Sequence, residues 1–337
     1  MTWNEKRIVT VLSTVLVVLM AAVLVALSIR YRQGQAQQAE GGYVDAQGQA
    51  VADDEYVSVQ LDNGSFAPTF ALGAAGEWIW ADQQDFPLND ETVQAVLAIL
   101  DDPKPQQTLP MEGGPGEYAL ENPRATVTAT RGDGSTRVIQ LGKATTDGQS
   151  YYAMLDGDET TVYILSGQLH ELLQTPVYAM MELPELPDLS GENLLSVSIL
   201  GHLGDNASAP MLTLEAKQEE GQKPRTRWFA GEEEVTDNAL VQGLMADLAA
   251  LTLGRCVDYN PSEDALEICG LTDPAAVLTI RYLNSNGGEQ ELQLSIGTRV
   301  TDGSGRYMQM NGDSTIYFLP TDLLDPLMHM AAQGLAA

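Results

Sequence analysis

The hydrophobic positions of the chain form one long uninterrupted run, followed by many short and regularly patterned segments. The run extends from residue 8 to residue 29, is dominated by Val, Leu and Ala, and contains no charged side chain. About 22 residues form roughly 33 Å of helix, which matches the hydrocarbon core of a bilayer. The run is longer than the apolar region of a cleaved signal peptide, and it ends at Arg30 instead of at small residues. It therefore predicts one transmembrane anchor at residues 8–29.

Basic residues flank the predicted anchor almost equally, with Lys6 and Arg7 before it and Arg30 and Arg32 after it. Their distribution therefore does not decide the orientation, but a long domain behind a single N-terminal span normally translocates whatever the flanking charges. We expect a single-pass protein of the cell membrane, with a cytoplasmic tail at residues 1–7 and an extracytoplasmic C-terminal region. Residues 30–54 are rich in Gln, Ala and Gly, which predicts a flexible linker.

Behind the linker, two halves of the chain repeat the same order of patterns. Each half has an amphipathic helix with apolar spacings of three and four residues, and the N-caps are expected at Asn89 and Thr236. Each helix is followed by a motif that ends in Pro (residues 119–123 and 270–274), and then by alternating segments joined by Asp-Gly or Asn-Gly turns. A Pro-rich break at residues 183–187 separates the halves. The sequence therefore predicts two repeats, at residues 55–188 and 189–333.

The patterns predict an α+β fold in which each tandem repeat is an antiparallel β-meander with helices. Each repeat is expected to close on a short helix, near residues 166–173 and 321–330. A Trp-bearing strand leads into the main helix, with Trp228 in the second repeat and either Trp78 or Trp80 as its counterpart. Core packing accounts for most aromatic residues at such positions, but one left exposed between the repeats would suit a ligand or partner contact. Trp78, Trp80 and Trp228 are therefore the candidate contact residues.

The region behind the anchor is strongly acidic. Removing Lys6, Arg7, Arg30, Arg32 and Glu5 from the totals of 17 basic and 47 acidic residues leaves 13 and 46, a net charge of about −33. Such a field repels nucleic acids and anionic headgroups, so nucleic-acid binding is excluded. Solubility is the simplest role for the excess acid, although it also attracts cations and basic partners.

The sequence offers little of the chemistry that most enzymes require. His170, His202 and His329 lie far apart, and the common metal, nucleophile, phosphate and dinucleotide motifs are absent. We therefore expect no enzymatic activity, no catalytic or metal-binding residues and no cofactor. The triplet Arg131-Gly132-Asp133 lies between two alternating segments, which favours a hairpin turn over an adhesion motif.

The chain has two cysteines, Cys256 and Cys269, which bracket the loop between the second main helix and the Leu271 motif. In an oxidising compartment a disulfide would close this loop and contribute about 3 kcal/mol. The alternative is a pair of unpaired thiols in a core. We favour the disulfide, and neither alternative is catalytic, because no C-x-x-C motif is present.

The ordered motifs resemble the bacterial family known as domain of unknown function 4340. The resemblance is carried by the Trp strand before a helix, the Gly270-Leu271-x-x-Pro274 motif with its Ala119 counterpart, a strand that ends in Leu-Gly or Ile-Gly, and two Tyr-bearing strands. These motifs span nearly all of residues 56–330. The resemblance implies an envelope protein, often encoded beside ABC-type transporter components, and it transfers no catalytic residues. Ala119 replaces the usual Gly, and Cys269 stands where an aromatic such as Tyr118 is more typical.

Together, these observations predict a membrane-anchored extracytoplasmic binding or accessory protein whose ligand the sequence does not name. Its expected partner is a subunit of an ABC-type transporter or of another envelope complex. Two alternatives remain open: an envelope hydrolase that uses carboxylates, and a purely structural surface spacer. A hydrolase would need two acidic side chains about 5–10 Å apart in one cleft.

Overall fold

The computed structural model describes residues 52–73, 75–201, 211–219, 225–320, 329–330 and 335. The predicted tail, the anchor at residues 8–29 and most of the predicted linker lie outside these residues. Within the described part of the chain, no helix combines the length and the apolar character needed to cross a bilayer.

The chain divides into two compact units at the bond between Thr175 and Pro176. This boundary comes earlier than the predicted break between residues 188 and 189, so the Pro-rich residues 183–187 lie within the second unit. A proline disfavours helical backbone in the residue before it. The division therefore falls where the last helix of the first unit has to end.

The first unit is built on one antiparallel sheet of eight strands in the order β3-β2-β1-β5-β6-β7-β8-β4. Its strands are β1 (Tyr56–Asp62), β2 (Thr69–Leu72), β3 (Trp78–Trp80), β4 (Gln107–Pro110), β5 (Ala125–Arg131), β6 (Thr136–Ala144), β7 (Ser150–Leu155) and β8 (Thr161–Ser166). Its helices are α1 (Glu91–Asp101), α2 (Gln168–Leu173) and a 3-10 helix at Pro115–Tyr118.

The second unit is built on an antiparallel sheet of nine strands in the order β12-β11-β10-β9-β14-β15-β16-β17-β13. Its strands are β9 (Leu194–Gly201), β10 (Met211–Glu219), β11 (Arg225–Ala230), β12 (Glu233–Glu234), β13 (Arg255–Asp258), β14 (Ala276–Leu283), β15 (Glu289–Arg299), β16 (Gly305–Met310) and β17 (Ile316–Pro320). Its helices are α3 (Ala239–Ala249), α4 (Glu263–Ile268) and a 3-10 helix at Val177–Met180.

The two sheets therefore share one strand order, to which the second unit adds β12 at one edge. The α+β class and the antiparallel pairing agree with the sequence-based prediction. The closing helix expected near residues 166–173 is α2, whereas most of the one expected at residues 321–330 lies outside the described residues.

In the first unit the core lies between one face of the sheet and the helices. Helix α1 buries Val93, Val96, Leu97 and Leu100. Alternate strand residues such as Val59, Val127 and Ile139 are fully buried, while the residues between them, such as Ser58, Thr126 and Thr128, are half-buried. Because successive strand residues point to opposite faces, this alternation gives the sheet one buried face and one polar face. Full burial of each large aliphatic side chain contributes about 1.5–3 kcal/mol.

The two predicted N-caps were wrong by one and two residues. Helix α1 is capped at Asp90 without a side-chain hydrogen bond, while Asn89 Oδ1 accepts from the Glu91 N–H. Helix α3 is capped at Asn238, whose side chain accepts from the N–H groups of Leu240 and Val241. Thr236 Oγ1 instead accepts from the N–H of Trp228.

Strand β4 forms an edge of the first sheet, and all four of its residues are exposed. The N–H of Met111 donates to the carbonyl of Thr160, on the β8 side. Because alternate residues of an edge strand point their N–H groups outward, the outward position next to Met111 belongs to Pro110. Proline has no N–H, so the exposed edge lacks one donor there, which discourages pairing with another chain.

Candidate functional site

The strand registers decide which tryptophan of the first unit corresponds to Trp228. Ala125 pairs with Leu141 just before Gly142, and Ala276 pairs with Ile296 just before Gly297, which aligns the two sheets. From there the pairings run across both sheets to Leu72 opposite Trp78 and Ala216 opposite Trp228. Trp78 is 8% exposed and Trp228 is 5% exposed. Both tryptophans are therefore equivalent parts of their cores.

Trp80 is different, because it has no aromatic counterpart in the second unit. It lies two residues beyond Trp78 in β3, and the residue two beyond Trp228 in β11 is Ala230. Trp80 is half-buried. The second unit forms the same strand order with a methyl group at this position, so the strand order alone does not require an indole ring there. Of the three candidate tryptophans, Trp80 is the one without a counterpart in the second unit, and it is the more exposed one in β3.

Trp80 forms an aromatic corner with Gln83 and Phe86, in the connection between β3 and α1. Two successive turns fold this connection: the Gln83 N–H donates to the Trp80 carbonyl and the Phe86 N–H to the Gln83 carbonyl, each at 3.1 Å. The Trp80 and Phe86 rings meet edge to face, with centroids 5.4 Å apart and an interplanar angle of 87°. Phe86 is only 4% exposed, so it fixes the position of the more accessible Trp80 ring.

The aromatic corner also contains an unsatisfied acceptor. Gln83 Oε1 is buried and has no hydrogen-bond partner among the residues that the structure describes. A buried acceptor without a donor costs about 1–3 kcal/mol. The connection at residues 81–90 carries Asp82, Asp85 and Asp90 and no basic residue.

The two cysteines are buried free thiols in the second unit. Cys269 packs with Leu271 and Ile316, and Val257 packs against the same cluster. Cys256 lies in β13, opposite Tyr317 of β17, and a β-bulge follows it at Val257. The two thiols are not bonded to each other in the structure, and the disulfide stays a prediction.

Burial is the main influence on the Cys256 thiol. It raises the pKa of Cys256 to about 12, with a further contribution from the carboxylates of Asp258 and Asp313. Burial also raises the pKa of Tyr317, whose hydroxyl donates to Asp313 Oδ2 at 2.8 Å. A thiol with a raised pKa is a poor nucleophile at neutral pH, which agrees with a structural role.

Of the described histidines, His170 belongs to the first unit and His329 to the second. His170 lies against the Tyr151 ring, with centroids 4.4 Å apart, and burial followed by the nearby Arg124 charge lowers its pKa. His202 lies outside the described residues. No group of three or more His, Cys, Asp or Glu side chains within the described ranges is arranged to hold a metal ion.

The Arg131-Gly132-Asp133 triplet forms the hairpin between β5 and β6, as predicted. The Arg131 N–H donates to the Ser135 carbonyl, and the Gly134 N–H donates back to Arg131. The Arg131 guanidinium donates to the Tyr56 hydroxyl at 3.0 Å and lies 3.6 Å from Asp101. It therefore connects this hairpin to the end of α1.

The chain is a duplicated α+β protein. Its two units share one antiparallel strand order, and the first unit carries the aromatic corner. The family model described as Domain of unknown function (DUF4340) matches residues 78–240. The resemblance expected from the motifs is therefore confirmed, over a shorter span than residues 56–330. The match runs from β3 to the start of α3 and includes the aromatic corner. No curated protein and no solved structure matches the chain.

Proposed function

We propose that the chain is a membrane-anchored extracytoplasmic binding or accessory protein that contacts a partner protein through the aromatic corner. The partner belongs to a transport or envelope complex. The observation that carries the proposal is the difference between Trp80 and Ala230. Two units with one strand order place an indole and a methyl group at the same position, so the strand order that they share does not require the indole.

Tryptophan is well suited to such a contact. Its large, rigid ring contributes much apolar area at little entropic cost, and Trp is enriched among the residues that dominate binding energy. The edge-to-face contact with Phe86 holds the Trp80 ring in place. Binding therefore costs little conformational entropy of this side chain. The half-buried state of Trp80 leaves part of the ring for the partner to cover.

The predicted anchor and the family resemblance support the proposed location and setting. An anchor at residues 8–29 keeps the units close to the membrane, where a membrane-embedded transporter subunit would meet them. The proposal requires neither a catalytic residue nor a cofactor.

The test is crosslinking in native membranes, followed by purification of the full-length chain and mass spectrometry. Trp80→Ala is compared with Ile268→Ala, which truncates a side chain that is 78% exposed and lies outside the corner. Loss of a central interface Trp costs at least about 2 kcal/mol, which corresponds to a roughly 30-fold loss of affinity. We expect Trp80→Ala to lose a transporter or envelope subunit that Ile268→Ala retains. Recovery of the chain alone, or equal recovery by both variants, would overturn the proposal.

A further inference from the structure

The turns of the two sheets contain three Asn-Gly pairs: Asn63-Gly64, Asn286-Gly287 and Asn311-Gly312. In such a pair the asparagine side chain can reach the backbone nitrogen of the next residue, and glycine has no Cβ to hinder the approach. We propose that Asn286 is a site of spontaneous deamidation and that the fold protects the other two asparagines. The site is separate from the proposed partner contact, because Asn286 lies in the second unit.

The reaction proceeds through a cyclic imide. The Gly287 backbone nitrogen attacks the side-chain carbonyl carbon of Asn286, so that a C–N bond forms. The side-chain amide nitrogen takes up the proton of the Gly287 N–H and leaves as ammonia. Water then opens the imide ring at one of its two carbonyl carbons, which gives either aspartate or isoaspartate. Both products carry one additional negative charge.

The Asn286 side chain is available for this reaction. Asn286 is exposed in the turn between β14 and β15, and its side chain makes no hydrogen bond with a residue that the structure describes. Its backbone N–H donates to Asn284 Oδ1 at 3.0 Å, which leaves the Asn286 amide group unused. The attacking nitrogen donates to the Asn284 carbonyl at 2.9 Å. Attack therefore requires this exposed turn hydrogen bond to open, which is a local fluctuation.

Asn63 is protected by hydrogen bonds to all the groups that react. Its Nδ2 group donates to the carbonyl of Leu173, the last residue of α2, at 3.1 Å. Its Oδ1 atom accepts from two backbone N–H groups of its own loop. The Gly64 N–H donates to Asp62 Oδ1 at 2.7 Å. The leaving nitrogen, the carbonyl oxygen and the attacking nitrogen are all engaged, so this loop has to break four hydrogen bonds.

Asn311 is protected by the neighbouring strand. Its Oδ1 atom accepts from the Gln293 N–H at 2.5 Å, and its Nδ2 group donates to the Glu291 carbonyl at 3.3 Å. Both partners belong to β15, which pairs with β16 in the second sheet. The Asn311 side chain is therefore part of the strand pairing, and it can turn towards Gly312 only when the end of β16 separates from β15.

The first unit has aspartate in the same turn that holds Asn286. In residues 131–135 and 284–288 alike, the first residue donates its N–H to the carbonyl of the fifth, and the fourth donates back to the first. The third residue is Asp133 in one turn and Asn286 in the other, and Asp133 Oδ1 accepts from the Ser135 N–H at 2.8 Å. An aspartate product therefore fits this turn, whereas isoaspartate lengthens its backbone by one atom.

The test is peptide mapping by mass spectrometry after incubation of the full-length chain in detergent at mildly alkaline pH. Asn63 and Asn311 are internal controls with the same Asn-Gly chemistry, and a sample in concentrated urea removes the fold. In the folded chain we expect Asn286 to deamidate at least about tenfold faster than either control, because each control has to break additional hydrogen bonds. In urea we expect similar rates at all three asparagines. Equal rates in the folded chain, or a faster reaction at either control, would contradict the assignment.

Two variants locate the reaction and its tolerated product. Asn286→Gln keeps an amide but places it one carbon too far for the five-membered ring, so the peptide that contains residue 286 should no longer gain mass. Asn286→Asp should denature at the same urea midpoint as the wild type, because Asp133 already occupies the equivalent turn position. A continued mass gain in Asn286→Gln would place the reaction at another residue. A lowered midpoint in Asn286→Asp would show that the turn does not accept the product.

Discussion

Replacing Ala119 by Gly and Gly270 by Ala should have opposite effects on stability. The two residues occupy equivalent positions in the two units, and both have left-handed backbone. Ala119 has φ 58° and ends the 3-10 helix Pro115–Tyr118, and Gly270 has φ 66° just after α4. In both cases the next N–H reaches back five residues, from Leu120 to Pro115 at 2.9 Å and from Leu271 to Leu266 at 2.8 Å. These bonds define a Schellman ending, in which glycine is the favoured residue.

The magnitudes follow from two opposing terms. An L-residue in the left-handed region costs about 1–2 kcal/mol, while glycine costs about 0.4–1 kcal/mol through the greater freedom of the unfolded chain. Ala119→Gly should therefore stabilise the first unit by about 0.5–1 kcal/mol. At position 270, a Cβ would also lie 2.6 Å from Thr298 Cγ2 and 3.1 Å from the Thr298 backbone nitrogen. Gly270→Ala should therefore destabilise the second unit by about 2 kcal/mol.

The assay is urea denaturation of the full-length chain in detergent, followed by circular dichroism. The matched control is Gly243→Ala in α3, where an added Cβ meets nothing within 4 Å. This control should stabilise by about 0.5–1 kcal/mol, because alanine is the better helix former. Wild-type stability for Gly270→Ala, or destabilisation by Ala119→Gly, would refute the argument from backbone conformation.

Three further predictions test other parts of the structure. Gly142→Ala places a Cβ onto the Tyr118 carbonyl, so thermal denaturation should show a loss of roughly 3 kcal/mol or more. The raised pKa of Cys256, about 12 against an ordinary 9.0, means that the buried neutral thiol stabilises the fold fully below pH 9 and loses this contribution as the pH rises towards 12. Urea denaturation of Cys256→Ala between pH 8 and pH 11 should show a flatter dependence of stability on pH than wild type. Pro110→Val restores an outward N–H on the edge strand β4, so sedimentation should detect more self-association than in the wild type.

The sequence predicted the repeated elements wherever a periodic pattern carried them. The apolar spacing of α1 and the alternation of β5 identified both elements, because burial on one face imposes a period on the sequence. The strand β4 escaped notice because all four of its residues are exposed, so no burial pattern marks it. It is held by backbone pairing with β8, which depends on residues about 50 positions later in the chain.

The candidate site was predictable only in part. Trp80 was among the candidates from the sequence, but its difference from Trp78 emerged only from the strand registers. A one-residue shift in register moves a side chain to the other face of a sheet, and the sequence does not state that register. Gln83 gave no signal at all, since a glutamine in a polar loop is ordinary until its oxygen is found buried without a donor.

The strand order of each sheet also determines when the chain can complete it. β1 pairs with β5, so Val59 cannot pair with Ala129 until about 70 further residues have been synthesised. Strands β5 to β8, in contrast, pair in sequence as they are made. During synthesis the hairpins of β1, β2 and β3 therefore emerge first but lack a neighbour until β5 has left the ribosome. The local meander is the natural nucleus, and the earliest strands dock onto it late. A chain interrupted before residue 125 would carry β1 as a bare edge, so this interval is an aggregation-prone stage in the synthesis of the first unit.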